Sequence, residues 1–304
     1  MIYYMLSIVI CSKNKLLSNE FVDNIRNTVG VEYEIIHIDN SENKFTIFSA
    51  YNLGFYKSKY QYLCFVHDDV FFHSQNWGQK VIAHLQDPKT GILGLAGGDL
   101  VSRVPASWSG FLSQSKNIIQ SDRTGKVPTQ IVRKPENFNL SKRPVILLDG
   151  VFMCLRRDLM ESIQFDVKMA GFHGYDFDIS IQSTVKGYVN YVIYDMDLEH
   201  FSRGKTDAQY FRNLISVFKK WESYLPLHLK DISEKQLHEI SKIEENNLFR
   251  LIKKMVRKGF RSTEIISEAS YFAGIIGSKK AVRYLGLRIF LIRLFNCPGY
   301  LFIQ

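Results

Sequence analysis

The 304-residue sequence has no two cysteines at CxxC spacing, no run of 18 apolar residues, no GxGxxG and no GxxxxGK[ST]. Each absence closes off a class. The four cysteines, Cys11, Cys64, Cys154 and Cys297, stand far apart, and the first three sit in apolar runs. They read as buried, reduced thiols of a reducing compartment and leave neither a zinc site nor a disulfide framework. Without a long apolar run, no segment reads as a bilayer span. Residues 1–11 are apolar but carry no basic residue before Lys13 and no small-residue cleavage site, so they read as a strand and not as a leader. Neither a dinucleotide-binding loop nor a P-loop is available. Net positive charge is also missing from most of the chain. The formal net charge of +9 lies entirely after Asn247, where 11 Lys and Arg face 2 acidic residues. A neutral body excludes a general nucleic-acid binder, while a basic tail points to a local partner such as an anionic membrane surface.

What is present is an alternation of two periods. The pattern predicts strands over 7–11, 33–38 and 61–66, separated by helices over 17–29 and 46–58. That order implies a mainly parallel sheet with right-handed crossovers, in which ligands bind beyond the carboxyl ends of the strands. Ser12, Asp39 and the group His67-Asp68-Asp69 fall at three successive ends. A helix over 81–85 and a strand over 91–96 follow. Residues 104–143, with Trp108, Gly110, Pro128 and Pro135, lack periodicity and read as a loop-rich insertion over the site. A strand, a turn and a second strand span 145–157, and a short helix covers 158–163. Asp176 and Asp178 precede the amphipathic Ile179, Ile181 and Val185. A last strand over 191–194 leads to His200, Arg203 and Lys205.

These polar groups have bland and chemical readings. Asp68 and Asp69 either cap a strand end in an Asx turn or form a hard-metal site, since Mg²⁺ and Mn²⁺ are held by one or two carboxylates plus substrate phosphates. Asp39 is a turn residue or an acceptor for a base or ribose. Asp176 and Asp178 stand at a helix N-terminus, where a carboxylate caps the first turn. Both cannot cap, which leaves one as a general base for a hydroxyl. His200 is a structural histidine or a metal ligand, and Arg203 and Lys205 suit phosphate charge.

The stretches 7–12, 34–40, 50–54, 65–70, 149–153 and 173–178, followed by His200, resemble in order a GT-A glycosyltransferase of the family 2 kind. The closest likeness is to the bacterial subgroup whose metal motif is His-x-Asp. The resemblance covers roughly the first 210 residues. It implies an α/β, Rossmann-like mixed and mainly parallel sheet flanked by helices, in a catalytic domain over 1–225. It further implies a metal-dependent, inverting transfer from a nucleotide-diphosphate sugar, UDP-sugar favoured, to a hydroxyl of a glycan or lipid-linked acceptor, in bacterial surface polysaccharide synthesis. Asp69 and His200 fall on the ligands of Mn²⁺ or Mg²⁺, and Asp176 on the general base, with Asp178 as the second candidate. Ser12, Asp39, Asn52, His67, Asp68, Arg203 and Lys205 fall on the donor side; Asp149, Gly150, Trp108, His173 and Tyr175 fall on the acceptor side. Tyr175 stands where the common pattern has Glu. A sugar nucleotidyltransferase and a non-catalytic membrane-associated protein of the same fold are the alternatives.

Beyond Pro226 the pattern is helical, and residues 226–304 read as a basic amphipathic region. Leu248, Leu251, Ile252, Met255 and Val256 share one face, with Arg250, Lys253, Lys254, Arg257 and Lys258 around the rest. Such a helix either holds a cytoplasmic protein on the inner face of the cell membrane or packs on a catalytic domain with its cations solvated.

Overall fold

The computed structural model describes residues 5–107, 113–122, 124, 129–135, 140–202, 204, 206–229, 233–284 and 286. The chain forms two compact units, residues 1–100 with 113–204, and residues 101–112 with 205–304.

In the first unit, seven strands line up as Lys142–Val145, Val189–Ile193, Thr90–Gly94, Phe152–Arg156, Tyr62–Val66, Met5–Ser12 and Glu32–Asp39. The predicted alternation is there: Met5–Ser12 pairs in parallel with Glu32–Asp39 and with Tyr62–Val66, and Ser12 lies opposite Asp39. Phe152–Arg156 enters antiparallel to Tyr62–Val66 and makes the sheet mixed. Helices Asn19–Thr28 and Ile47–Lys57 begin on Ser18 and Thr46, whose hydroxyls accept from Phe21 N and Ser49 N, the side-chain cap that a helix start needs. The five residues of Tyr62–Val66 are all buried, as their unbroken apolar run requires.

A second sheet runs in the order Leu147–Leu148, Ala96–Gly98, Gln114–Gln120, Leu198–His200 and Val70–Phe72, with Gln130–Lys134 beside Gln114–Gln120. Two of these strands lie in the segment read as loop. They pair antiparallel from Lys116 with Lys134 to Gln120 with Gln130. Their sequences mix polar and charged residues, and Gln130–Lys134 is mostly exposed, so no buried face wrote an alternation into them. Asn117, buried among them, donates to Met196 O at 2.6 Å.

The two sheets give His67-Asp68-Asp69 its place. Tyr62–Val66 belongs to the first sheet and Val70–Phe72 to the second, so the polar triplet is the crossing between them. Asp is poor strand material, and it stands where the chain is leaving one ladder for another. Backbone bonds hold the crossing at both ends, His67 N to Val151 O at 3.1 Å and Phe201 N to Asp69 O at 3.0 Å. Asn24 clamps the exit, donating to Phe72 O at 2.9 Å and accepting from Phe72 N at 2.8 Å.

The second unit contains helices Ala208–Lys220, Glu234–Arg257 and Ser262–Ile276. Leu248, Leu251, Ile252 and Met255 are buried within it. The apolar face on which membrane insertion would depend is therefore spent on packing, while Arg250, Lys253, Lys254, Arg257 and Lys258 are exposed. Glu244 is fully buried and is matched by Arg103, whose N, Nε and Nη2 reach its carboxylate at 2.8, 3.0 and 2.7 Å. A carboxylate so enclosed is tolerable only with its charge and lone pairs met. Among the described residues no helix is long and apolar enough to cross a membrane.

Candidate functional site

His67 and Asp69 stand two apart on the crossing, and His200 ends the strand Leu198–His200, which runs antiparallel to Val70–Phe72 with His200 opposite Val70. That register brings the second histidine to the first carboxylate. Asp69 Oδ1 is 3.4 Å from His200 Nε2 and 3.7 Å from His67 Nδ1, and one ligand atom from each residue lies within 4.8 Å of the others. Burial works against the Asp69 charge, but the His200 hydrogen bond and charge, the Ser202 hydroxyl and His67 outweigh it and hold the carboxyl below the usual carboxylate range. An ionised carboxylate with two imidazoles fits a divalent ion and favours a first-row transition ion such as Mn²⁺ over Mg²⁺, which prefers oxygen throughout. His67 was expected on the donor side. The structure puts it beside Asp69 and His200, and the clue in the sequence is its two-residue offset from Asp69, which on extended backbone turns both side chains the same way.

Several donor-side expectations change. Ser12 is buried; its hydroxyl donates to Asp68 Oδ2 and accepts from Asn14 N at 2.9 Å, so it orients Asp68 and has no proton left for a base. Asn52 is committed as well. Its amide donates to Phe165 O at 2.8 Å and accepts from Phe165 N at 3.2 Å, which makes it a staple between two segments and not a nucleotide contact. Two residues on, a Cβ at Gly54 would lie 2.1 Å from Val9 Cγ1, so helix Ile47–Lys57 approaches the strand Met5–Ser12 as only glycine permits. That part of the family-like pattern serves packing. Asp68 is half-buried beside Ser12. Asp39 is exposed at its strand end and accepts from Ser41 N at 2.9 Å, which lowers its pKa.

Asp176 and Asp178 separate. Helix Tyr175–Val185 starts after Gly174, so neither aspartate is the cap residue. Asp178 is 1% exposed, faces the interior and accepts from Gln182 Nε2 at 2.9 Å; it cannot meet an acceptor hydroxyl and is withdrawn as a base. Asp176 is half-buried, with Oδ1 accepting from Phe177 N at 3.0 Å and Oδ2 from Gly150 N at 3.3 Å. Each carboxylate oxygen has two lone-pair directions, so both bonds leave room for an incoming proton. Burial, and then the charge of Asp149, raise the Asp176 carboxyl to about 7. The helix is fixed to the sheet by buried Asn190, which donates to Ser180 O at 3.0 Å and to Ile146 O at 2.8 Å.

This pKa has two consequences of opposite use. A base titrating near 7 should make kcat/KM rise through that pH and level off above it, as a pH–rate profile would show. Folded Asp176 keeps its proton where the unfolded carboxyl, near 3.8, has lost it. Its contribution to stability is therefore full below the unfolded value and is lost as pH rises to about 7. The amide of Asp176→Asn gives up one of the two backbone hydrogen bonds at every pH, so the sign is read in the pH dependence. The melting temperature of the variant relative to wild type should rise between pH 3.5 and pH 8, and a relative fall over that range would contradict the assignment.

On the expected acceptor side, Tyr175 is corrected. It is 5% exposed, its hydroxyl lies 2.9 Å from His67 Nε2 and donates to Gly150 O at 3.1 Å, so it faces inward to the histidine and offers nothing to an acceptor. Gly150 is buried and contributes its N–H to Asp176. Asp149 accepts from Val151 N at 3.0 Å and adds negative charge beside Asp176. His173 is half-buried two residues before the helix start. Trp108, Arg203 and Lys205 lie outside the described residues.

A model of the "Glycosyltransferase like family" matches residues 7–221. Comparison with curated protein sequences gives no match. Among solved structures, the chain resembles mannosyltransferase PcManGT from Pyrobaculum calidifontis in complex with GDP-Man and Mn²⁺, at 12% identity and a TM-score of 0.51, covering 94% of this chain and 84% of that one. It also resembles GalNAc-T7 with UDP, GalNAc and Mn²⁺, at 16% identity and a TM-score of 0.50, over 80% of this chain. The chain spans about half of GalNAc-T7, 54% of its length. At these identities the likeness shows the GT-A fold.

Proposed function

The chain belongs to the glycosyltransferase-like family, and from that premise we propose that it is an inverting transferase. It would move a sugar from a nucleotide-diphosphate donor to a hydroxyl of a glycan or lipid-linked acceptor, in the synthesis of a bacterial surface polysaccharide. The observation that carries this reading is the convergence of His67, Asp69 and His200 in one fold unit with a half-buried Asp176 raised to about 7. The three ligands would hold Mn²⁺, the ion present in both similar structures, and Mg²⁺ is the weaker candidate for the reason given above. When bound, such an ion supplies charge stabilisation to a leaving diphosphate. Asp68, oriented by Ser12, and Asp39 would contact the donor, with Arg203 and Lys205 on its phosphates. Asp176 would take the proton of the acceptor hydroxyl as that oxygen attacks the anomeric carbon, with Asp149 and His173 on the acceptor side. One base opposite the leaving group yields inversion.

A screen of UDP-, GDP- and dTDP-sugars for Mn²⁺-dependent hydrolysis tests this. One donor should turn over; silence with all of them, in folded protein, would count against the reading.

A lipid-linked acceptor would also give the tail a reason to be basic. With its apolar face buried, the helix Glu234–Arg257 would meet an anionic surface through charge and not by insertion. Flotation with vesicles containing phosphatidylglycerol should carry the protein up at low salt and release it near 0.5 M salt, roughly where surface charges lose each other's field. Flotation that survives such salt, or none at low salt, contradicts attachment of this kind.

A further inference from the structure

Tyr175 places one buried hydroxyl between the Gly150 carbonyl and the His67 imidazole. That hydroxyl has three neighbours: the Gly150 carbonyl oxygen at 3.1 Å, which can only accept, His67 Nε2 at 2.9 Å, and the Tyr51 hydroxyl, which can give or take. With the Tyr51 proton directed at the Tyr175 oxygen, the single proton of Tyr175 goes to Gly150 O, the one neighbour with nothing to give. Its oxygen is then left to accept, and the 2.9 Å contact with His67 Nε2 is a hydrogen bond only if Nε2 carries the hydrogen. A neutral imidazole has one N–H, so Nδ1 becomes a bare lone pair. That atom lies 3.7 Å from Asp69 Oδ1, and the two imidazole rings of His67 and His200 are 5.7 Å apart.

Without the phenol the balance would tip the other way. The ionised Asp69 is an acceptor on the Nδ1 side and would draw the hydrogen there, blocking the lone pair that a metal needs. The reverse phenol orientation, donating to Nε2, has the same result and leaves a buried carbonyl oxygen facing the phenol oxygen with no proton between them, a costly arrangement. We propose that Tyr175 is a positioning residue that holds His67 as its Nε2–H tautomer and so presents Nδ1, with Asp69 and His200, to a divalent cation. The ligand half of this statement rests on the metal reading above; the tautomer half does not.

Gly150 is what allows the arrangement. A Cβ at that position would lie 2.2 Å from the Tyr175 Oη and 2.5 Å from Cζ, so any side chain would push the phenol off the histidine. The ring itself is held in place by aromatic neighbours, edge-on to Tyr51 at 5.5 Å and to Phe48 at 6.3 Å between centroids. Tyr175→Phe therefore deletes one oxygen, and with it the hydrogen bond to the buried Tyr51, and leaves the ring packing in place.

The test compares wild type and Tyr175→Phe, metal-free, labelled with ¹⁵N-histidine and observed at pH 8 by long-range ¹H–¹⁵N correlation. In wild type, His67 should show a protonated Nε2 and a bare Nδ1. In the variant, the hydrogen should move to Nδ1, and titration with Mn²⁺ alone should give binding weaker by about 10- to 100-fold, the cost usual for loss of a partner that orients a ligand. Wild-type His67 protonated on Nδ1 would overturn the proposal, as would a variant of unchanged melting temperature that keeps both the wild-type tautomer and the wild-type Mn²⁺ affinity. If the tautomer moves as expected but neither protein binds Mn²⁺, the ligand half falls together with the metal reading.

Discussion

Asp69→Ala is expected to abolish metal-dependent nucleotide binding, with Mn²⁺-supported affinity for UDP or GDP falling by at least about a hundredfold in calorimetry. Loss of a residue that merely orients a ligand costs about 10- to 100-fold, and Asp69 is itself the one anionic member of the group. Without it, two imidazoles remain close together around an ion with no carboxylate to meet its charge. The structural cost should be small, because the Asp69 side chain is about one-third exposed and the backbone bond that fixes the crossing, Phe201 N to Asp69 O, does not involve it. Asp69→Asn, which keeps the shape, should fail in the same way. Unchanged affinity in the presence of Mn²⁺ would remove Asp69 from the site.

Asp176→Asn should separate binding from chemistry. General-base assistance is worth typically 10²- to 10⁴-fold, so kcat should drop by about that factor, roughly 3 to 5 kcal/mol of barrier, while donor affinity stays within a factor of two or so. The amide still accepts through its one oxygen but has no lone pair basic enough for a hydroxyl proton. Residual activity should also lose the rise through pH 7 seen in wild type. Asp178→Asn is the informative control: Asp178 lies buried against Gln182, so the change should act on stability and leave the pH profile in place. A variant at Asp176 that retains most of its turnover would move the base elsewhere.

The parts of the molecule that could be read in advance are those in which one physical term dominates. Strands such as Tyr62–Val66 are buried on both faces, so each residue carries the signal, and the alternation with helices follows from it. The polar residues singled out at strand ends do lie there: Asp39 closes Glu32–Asp39, Asp69 stands in the crossing after Tyr62–Val66, and Asp176 is in the first turn of Tyr175–Val185. What could not be read depends on contacts far apart in sequence. Asn52 lies in a motif that resembles a family element, yet its partner is the backbone of Phe165, over a hundred residues away. Tyr175 stands where the common pattern has Glu, and only the approach of Gly150 and His67 shows that its hydroxyl faces inward. Strands Gln114–Gln120 and Gln130–Lys134 were invisible for a different reason: most of their residues never become buried, so backbone pairing holds them without leaving a mark on composition. The basic tail was legible as charge, but whether its apolar stripe met lipid or protein depended on what covered it, and Leu248, Leu251, Ile252 and Met255 turn out to be covered by the chain itself.

The central claim is that a divalent ion on His67, Asp69 and His200 is part of the machinery that cleaves the donor. The most direct test follows turnover of the donor sugar selected by the screen in wild-type protein stripped with EDTA and then supplied with Mn²⁺. Turnover should vanish on stripping and return with Mn²⁺, and with Mg²⁺ only weakly. Turnover that persists at its full rate in the stripped protein would contradict the account.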